Sequence, residues 1–292
     1  MRILALDLVF YKSIFHNSFI HVLNILKMNF IKIYLLLFIF VFDNSYSQNS
    51  IATRFTVPKG FVRETPSKDS YAFFLQNLPL KSKDEKVRYY NGATKDYVAY
   101  IAAINLPIGN KNLHQCADAI MRLRADYFYI SEKFNKIHFN FTNGFRVDFA
   151  KWIQGYRIAL KGNKTYWIKT AKPSSNYDSY WKFMEQIFQY AGTASLEKEL
   201  ISVDIENLKI GDVFIVGGFP GHAIIVVDLA ENLSTKKKIF MLAQSYMPAQ
   251  ELQILRNNEN PTMSPWYDLD FGPKLVTPEW TFLSSNLKRF DE

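Results

Sequence analysis

Residues 208–246, LKIGDVFIVGGFPGHAIIVVDLAENLSTKKKIFMLAQSY, decide the fold. Val213–Val216 and His222–Leu229 are apolar runs rich in β-branched residues, separated by the glycine-rich stretch Gly217–Gly221. That composition predicts two strands joined by a short loop. Ile239–Ser245 reads as a third strand and Leu252–Leu255 as a fourth. Connections this short join antiparallel neighbours, so the segment predicts the core of an antiparallel sheet or partial barrel. Lys236, Lys237 and Lys238 form the one dense basic run and fit a solvated hairpin turn.

Outward from this core the hydrophobic period changes. Leu113, Cys116, Ala117, Ile120, Leu123, Tyr127 and Ile130 recur at helical spacing, with Arg122, Asp126 and Glu132 directed elsewhere. A helix over about 113–133 follows, with Asn110 or Asn112 as its N-cap and Cys116 near its first turn. A second helix is expected over Tyr177–Tyr190, and a short one over Leu196–Leu200. Residues 51–108 read as short strands broken by turns, including a strand over Asp96–Ile104. Residues 137–170 also read as strands, and the tail with Pro261, Pro265, Pro273 and Pro278 as an irregular wrap. With no internal repeat or low-complexity linker, residues 48–292 are expected to form a single α+β domain.

The N-terminus reads as an address. Ile33–Phe42 is an unbroken apolar run of ten residues, preceded by Lys27 and Lys32 and followed by Ser45-Tyr46-Ser47. This is the order of a secretory signal, with cleavage expected between Ser47 and Gln48. Met28 begins a signal of normal length, so residues 1–27 read as an over-extended start. A run this short is not a comfortable membrane span, which takes about 20 residues. The expectation is a periplasmic or secreted protein with no stable membrane span in its mature form.

Beyond residue 47 the chain holds 31 basic and 25 acidic side chains, with the basic ones scattered. No basic stripe or recognised reader motif is present, so a nucleic-acid partner is not expected. Cys116 is the single cysteine and cannot form an intramolecular disulfide. In an oxidising compartment such a thiol is buried, paired with another chain, or reactive. The mature histidines are His114, His138 and His222. No zinc-ligand spacing, Gly-x-Ser-x-Gly elbow or phosphate-cradling glycine loop accompanies them, so neither a metal nor a cofactor is called for.

The stretches HQCADAIMRLRADYFY, FQYAGTASL, GDVFIVGGFPGHAIIVVD, FMLAQSYMPAQELQIL, SPWY and TPEW resemble the bacterial family called domain of unknown function 4846. That resemblance covers nearly all of residues 51–290 and implies an extracytoplasmic protein without assigning an activity. The chain also resembles, more distantly, the NlpC/P60 papain-like cell-wall peptidases. They place a cysteine at a helix start, then a Gly-Asp turn into a strand, then a histidine opening the next strand. Here the order is Cys116, Gly211-Asp212 and His222, with Gln244 as the polar residue on the following strand. This implies a papain-like core with the cysteine-bearing helix packed on it. It departs from that group in the 106 positions between Cys116 and His222, in Gln115 where an Asp is usual, and in an insertion over 134–206.

That resemblance implies Cys116 as nucleophile, His222 as general base and Gln244 as the group orienting the imidazole. The helix N-terminus is expected to lower the thiol pKa, and a nearby backbone amide to serve the oxyanion. Ser245, Tyr246 and Gln250 form a polar–aromatic cluster beside these residues and are expected to contact substrate. The implied activity is a cysteine hydrolase acting on a cell-envelope peptide or glycan, peptidoglycan included. The competing expectation is a non-catalytic envelope-binding protein using the same groove. Residue by residue, Cys116 also reads as an ordinary buried thiol, His222 as a loop cap, His114 as solvated, and Trp266, Tyr267 and Trp280 as core wedges.

Overall fold

The computed structural model describes residues 49–162 and 164–291, so the expected signal segment over 1–47 lies outside the described residues. From Asn49 on, the chain forms one unit. It opens with α1 (Ile51–Arg54), β1 (Phe61–Arg63), α2 (Tyr71–Gln76), β2 (Tyr100–Ala103) and α3 (Cys116–Ile130). The middle section holds β3 (His138–Asn140), β4 (Arg146–Asp148), α4 (Phe149–Trp152), β5 (Tyr156–Lys161), β6 (Lys164–Lys169), α5 (Tyr177–Tyr190) and α6 (Thr193–Glu199). The remaining strands are β7 (Ile201–Ser202), β8 (Val213–Val216), β9 (His222–Asn232), β10 (Lys238–Gln244), β11 (Gln253–Leu255), β12 (Tyr267–Asp268), β13 (Lys274–Val276), β14 (Thr281–Leu283) and β15 (Leu287–Arg289).

One open antiparallel sheet runs β2-β11-β10-β9-β8-β15-β7, with β1 on the far part of β9 and β12 on β10. The α+β class and the antiparallel core stand as the composition predicts, and the sheet does not close. β9 is buried at every position from His222 to Ala230, so both of its faces are covered. Its continuous apolar run follows from this, because only a strand covered on both faces needs no polar alternation. Helices α2 and α3 pack against it, while Phe214, Phe240, Phe271 and Phe282 cluster through ring contacts of 6.0–6.4 Å.

The proline-rich tail is not an irregular wrap. Its final segment enters the sheet as β15, between β8 and β7. A partly buried ion pair fixes that insertion: Arg289 donates to both carboxylate oxygens of Asp212, at 2.6 and 2.8 Å. Asp212 also accepts from the Lys209 amide at 2.8 Å, and Gly211 turns the chain at φ +98° with its Cα face against the Tyr71 ring. A Cβ at Gly211 would be strained in backbone and close to Tyr71, so the Gly-Asp pair is a structural requirement of the turn.

Several local expectations change for identifiable reasons. Tyr71–Gln76 and Ile51–Arg54 are helices capped by Ser70 and Ser50, not strands. α3 starts at Cys116, with Asp118 accepting from the Gln115 amide at 2.9 Å. Asn112 is not its cap, because its side chain accepts from the Ala249 amide at 2.7 Å instead. Arg122 and Asp126 point inward, paired at 3.2 Å, with Tyr180 donating to Asp126 at 2.6 Å. Such charges are tolerated inside only when paired and hydrogen-bonded, as these are. The insertion over 134–206 packs its helices and hairpins into the same apolar core as the sheet.

Phe214→Ala, which removes the ring at the centre of the aromatic cluster, is expected to lower unfolding stability by about 3–5 kcal/mol. Urea denaturation followed by far-ultraviolet circular dichroism measures this.

Candidate active site

Cys116 is the first residue of α3, and the Ala223 backbone forms a hydrogen bond that favours its thiolate. Ala223 follows His222 at the start of β9, so helix start and strand start meet at the site. Cys116 is half-buried and His222 buried. The tertiary structure thus sets Cys116 against the backbone of the residue that follows His222. Gln244 meets the imidazole, its Oε1 lying 2.9 Å from His222 Nε2.

Register explains that contact. Ala243 pairs with Ile225 across β9 and β10, so Gln244 falls beside Ile224, one diagonal step from His222. A bulge between Met241 and Leu242 shifts the pairing by one residue. Without it Gln244 would face the opposite side of the sheet, because side chains alternate with period two.

The rest of the network was not legible in the sequence. Gln244 Nε2 donates to Glu279 Oε2 at 2.5 Å, and Lys95 Nζ donates to both Glu279 oxygens at 2.8 and 2.7 Å. These groups arrive from the loop before β2, from β10 and from the tail. A carboxylate accepts and never donates, so Glu279 selects the amide NH2 of Gln244 and turns its oxygen toward the imidazole. That oxygen must accept from Nε2–H, which leaves the lone pair on Nδ1. Tyr246, Trp280 and Phe282 surround the His222 ring at 4.7, 5.5 and 6.0 Å. Trp280 is therefore a wall of the site, while Trp266 and Tyr267 are core residues as expected.

Burial sets the electrostatics. It pushes the His222 pKa down to about 4, helped by the nearby Lys95 charge, against the Gln244 hydrogen bond. Burial also pushes the Cys116 thiol up to about 11, aided by the Asp118 carboxyl. The expectation that the helix start lowers this pKa is corrected here, because desolvation outweighs the favourable amides of Ala117 and Ala223. At neutral pH both the thiol and the imidazole are therefore uncharged.

The expected substrate contacts separate. Ser245 is buried, with its hydroxyl between the carbonyls of His114 (3.1 Å) and Gln250 (2.7 Å). Gln250 is buried too, accepting from Gln253 and donating to the Pro248 carbonyl. Both have their polar groups turned inward, which leaves Tyr246 as the member at the site surface. His114 is buried rather than solvated, packed edge-on to Phe188, with its pKa pushed down to about 3 by burial. Phe219 and Met247 stand exposed, close in sequence to His222 and Tyr246. Gly221 is fixed by close approach: a Cβ there would meet the Gly218 carbonyl and Thr193 Oγ1 at 2.5 Å.

Among the described residues no cluster of His, Cys, Asp or Glu has metal-holding geometry, and no helix is long and apolar enough to cross a membrane. The family profile described as domain of unknown function 4846 matches residues 51–289, and the chain belongs to that family. Neither the curated proteins nor the solved structures contain a match.

Glu279→Ala frees the Gln244 amide to invert and leaves Lys95 buried without its carboxylate. Ring-nitrogen magnetic resonance should report a single Nε2–H tautomer of His222 in the native protein and a mixture in the variant. A stability loss of about 3–5 kcal/mol is expected alongside.

Proposed function

We propose that this chain is an exported thiol hydrolase with a papain-like NlpC/P60-type core, acting on an amide or peptide bond of the cell envelope, with peptidoglycan as the substrate class. The observation that carries the reading is the bond between His222 Nε2 and Gln244 Oε1, locked by Glu279, at the strand start that Cys116 packs against. It supplies an imidazole of fixed tautomer whose Nδ1 accepts a proton. Export rests on the signal-like segment before Gln48.

The step follows from neutral partners. As the Cys116 sulfur attacks the carbonyl carbon, its proton passes to Nδ1 of His222, and the carbonyl oxygen becomes an oxyanion near the first-turn amides of α3. The imidazolium then returns the proton to the leaving nitrogen, the carbon–nitrogen bond breaks, and a thioester remains. Water deprotonated by Nδ1 hydrolyses the thioester and regenerates the thiol. Because the charged pair forms only during attack, the surrounding rings and the Gln244 bond act on the reacting state rather than the resting one.

The same burial favours a second reading, a non-catalytic binder of envelope fragments. A thiol held at about 11 and an imidazole held at about 4 are also what a purely structural pair would show.

Peptidoglycan fragments incubated with the protein should release free amine, with turnover lowered at least about a hundredfold in Cys116→Ala and in His222→Ala. A thioester on Cys116 should be trapped by mass spectrometry. The rate should rise with pH through about 4, as His222 loses its proton, without the neutral-centred bell of a thiolate–imidazolium pair. Fragments that bind but are never cleaved under any of these conditions decide for the binding protein.

A further inference from the structure

At the other end of α3 a second site opens. A cavity of about 260 Å³ lies between the C-terminal half of that helix, the β3–β4 hairpin, the end of α6 and the chain terminus. Its charged lining is Arg124, Lys136, Arg146, His138, Glu199 and Asp291. Arg124 sits eight residues beyond Cys116, about 12 Å along the helix axis. The cavity is therefore separate from the thiol site.

Its cations are unevenly spent. Arg146 is held by Asp148 at 2.9 Å. Arg124 instead lies over the rings of Phe128, Tyr71 and Phe290, at 4.5, 5.0 and 5.3 Å from their centroids. Among the described residues neither Arg124 nor Lys136 has a carboxylate within ion-pair distance. Aromatic stacking fixes the guanidinium plane while leaving its donors unspent, which preorganises a fork for an oxyanion. Burial lowers the His138 pKa, and Arg146, Lys136 and Arg124 add to this against Asp148, so the three cationic fields converge there. Glu199 faces them from α6, accepting from the Asn140 amide at 2.7 Å.

We infer that this cavity is a binding site for a small oxyanion, a carboxylate or phosphate group, held by Arg124 and Lys136 with Glu199 as a proton-dependent gate. The cavity suits one such group and little more, since drug-sized pockets run to several hundred Å³. Glu199 is the member whose charge changes near neutrality: burial, opposed by the Asn140 amide and Arg146, raises it to about 7. The charged groups facing it are Arg124 on α3, Lys136, His138 and Arg146 on the hairpin side, and Asp291 from the tail. As pH falls through 7, Glu199 takes up a proton, a repelling charge disappears and a donor appears. Anion binding therefore tightens toward acid, and by linkage a bound anion raises the Glu199 pKa further.

Sulfate is the probe, because its charge is constant over this range. An amide chemical-shift titration with sulfate, against chloride at matched ionic strength, should give saturable shifts at residues 136–140 and 199. Affinity should increase about three- to tenfold from pH 8 to pH 6. Lys136→Gln, at an exposed position, should weaken binding about threefold, and Arg124→Gln at least about tenfold. Glu199→Gln should bind at pH 8 as tightly as the native protein does at pH 6, with no remaining pH dependence. Shifts that chloride reproduces, affinity unaltered by Lys136→Gln, or a pH dependence that survives in Glu199→Gln would each overturn the proposal. Lys136→Gln and Glu199→Gln decide the matter even where Arg124→Gln does not fold.

Discussion

The hydrogen bond between His222 and Gln244 depends on the pairing register of two central strands, and much of the molecule is arranged to hold that register. β9 is covered on both faces from His222 to Ala230, which screens the His222 ring from bulk water. In such surroundings an imidazole nitrogen without a partner costs about 1–3 kcal/mol, a cost that the Gln244 contact removes. The bulge at Met241–Leu242 provides it by turning Gln244 to the histidine's face. Satisfying Gln244 in turn requires Glu279, and Glu279 requires Lys95. One buried polar contact thus enlists the tail and the loop before β2.

The tail shows how such a requirement shapes topology. Glu279 reaches Gln244 and Trp280 reaches His222 where the chain returns toward β14 and then enters the sheet as β15. Arg289 on Asp212 secures that return beside the Gly211 turn, near the strand that leads into the site. Ion pairs this buried add little net stability over apolar replacements, but losing one partner leaves a stranded charge. They act here as latches that specify one arrangement.

Helix α3 shows two opposing uses of one element. At its start the unsatisfied amides of the first turn favour a thiolate, yet burial and Asp118 win, and the thiol stays neutral. Eight residues on, Arg124 lies over aromatic faces and lines an open cavity instead of the core. For the thiol, solvent access outweighs position along the helix.

The sequence by itself determined what depends on local pattern. The strands Val213–Val216 and β9–β10, the helix Tyr177–Tyr190, the α+β class and the pairing of Cys116 with a helix start were readable, because hydrophobic period and turn residues act over a few positions. The contact between His222 and Gln244 also matches neighbouring strands that the sequence already suggested. What the sequence hid depends on distant partners. Arg122 and Asp126 look solvent-facing until Tyr180 is seen to complete their network. Ser245 and Gln250 look like substrate contacts until the carbonyls that occupy them appear. Glu279 and Lys95 carry no local signal at all, being 184 positions apart. Tertiary structure alone decided the protonation of the site, since desolvation is a property of what surrounds a group, and no stretch of sequence states its own burial.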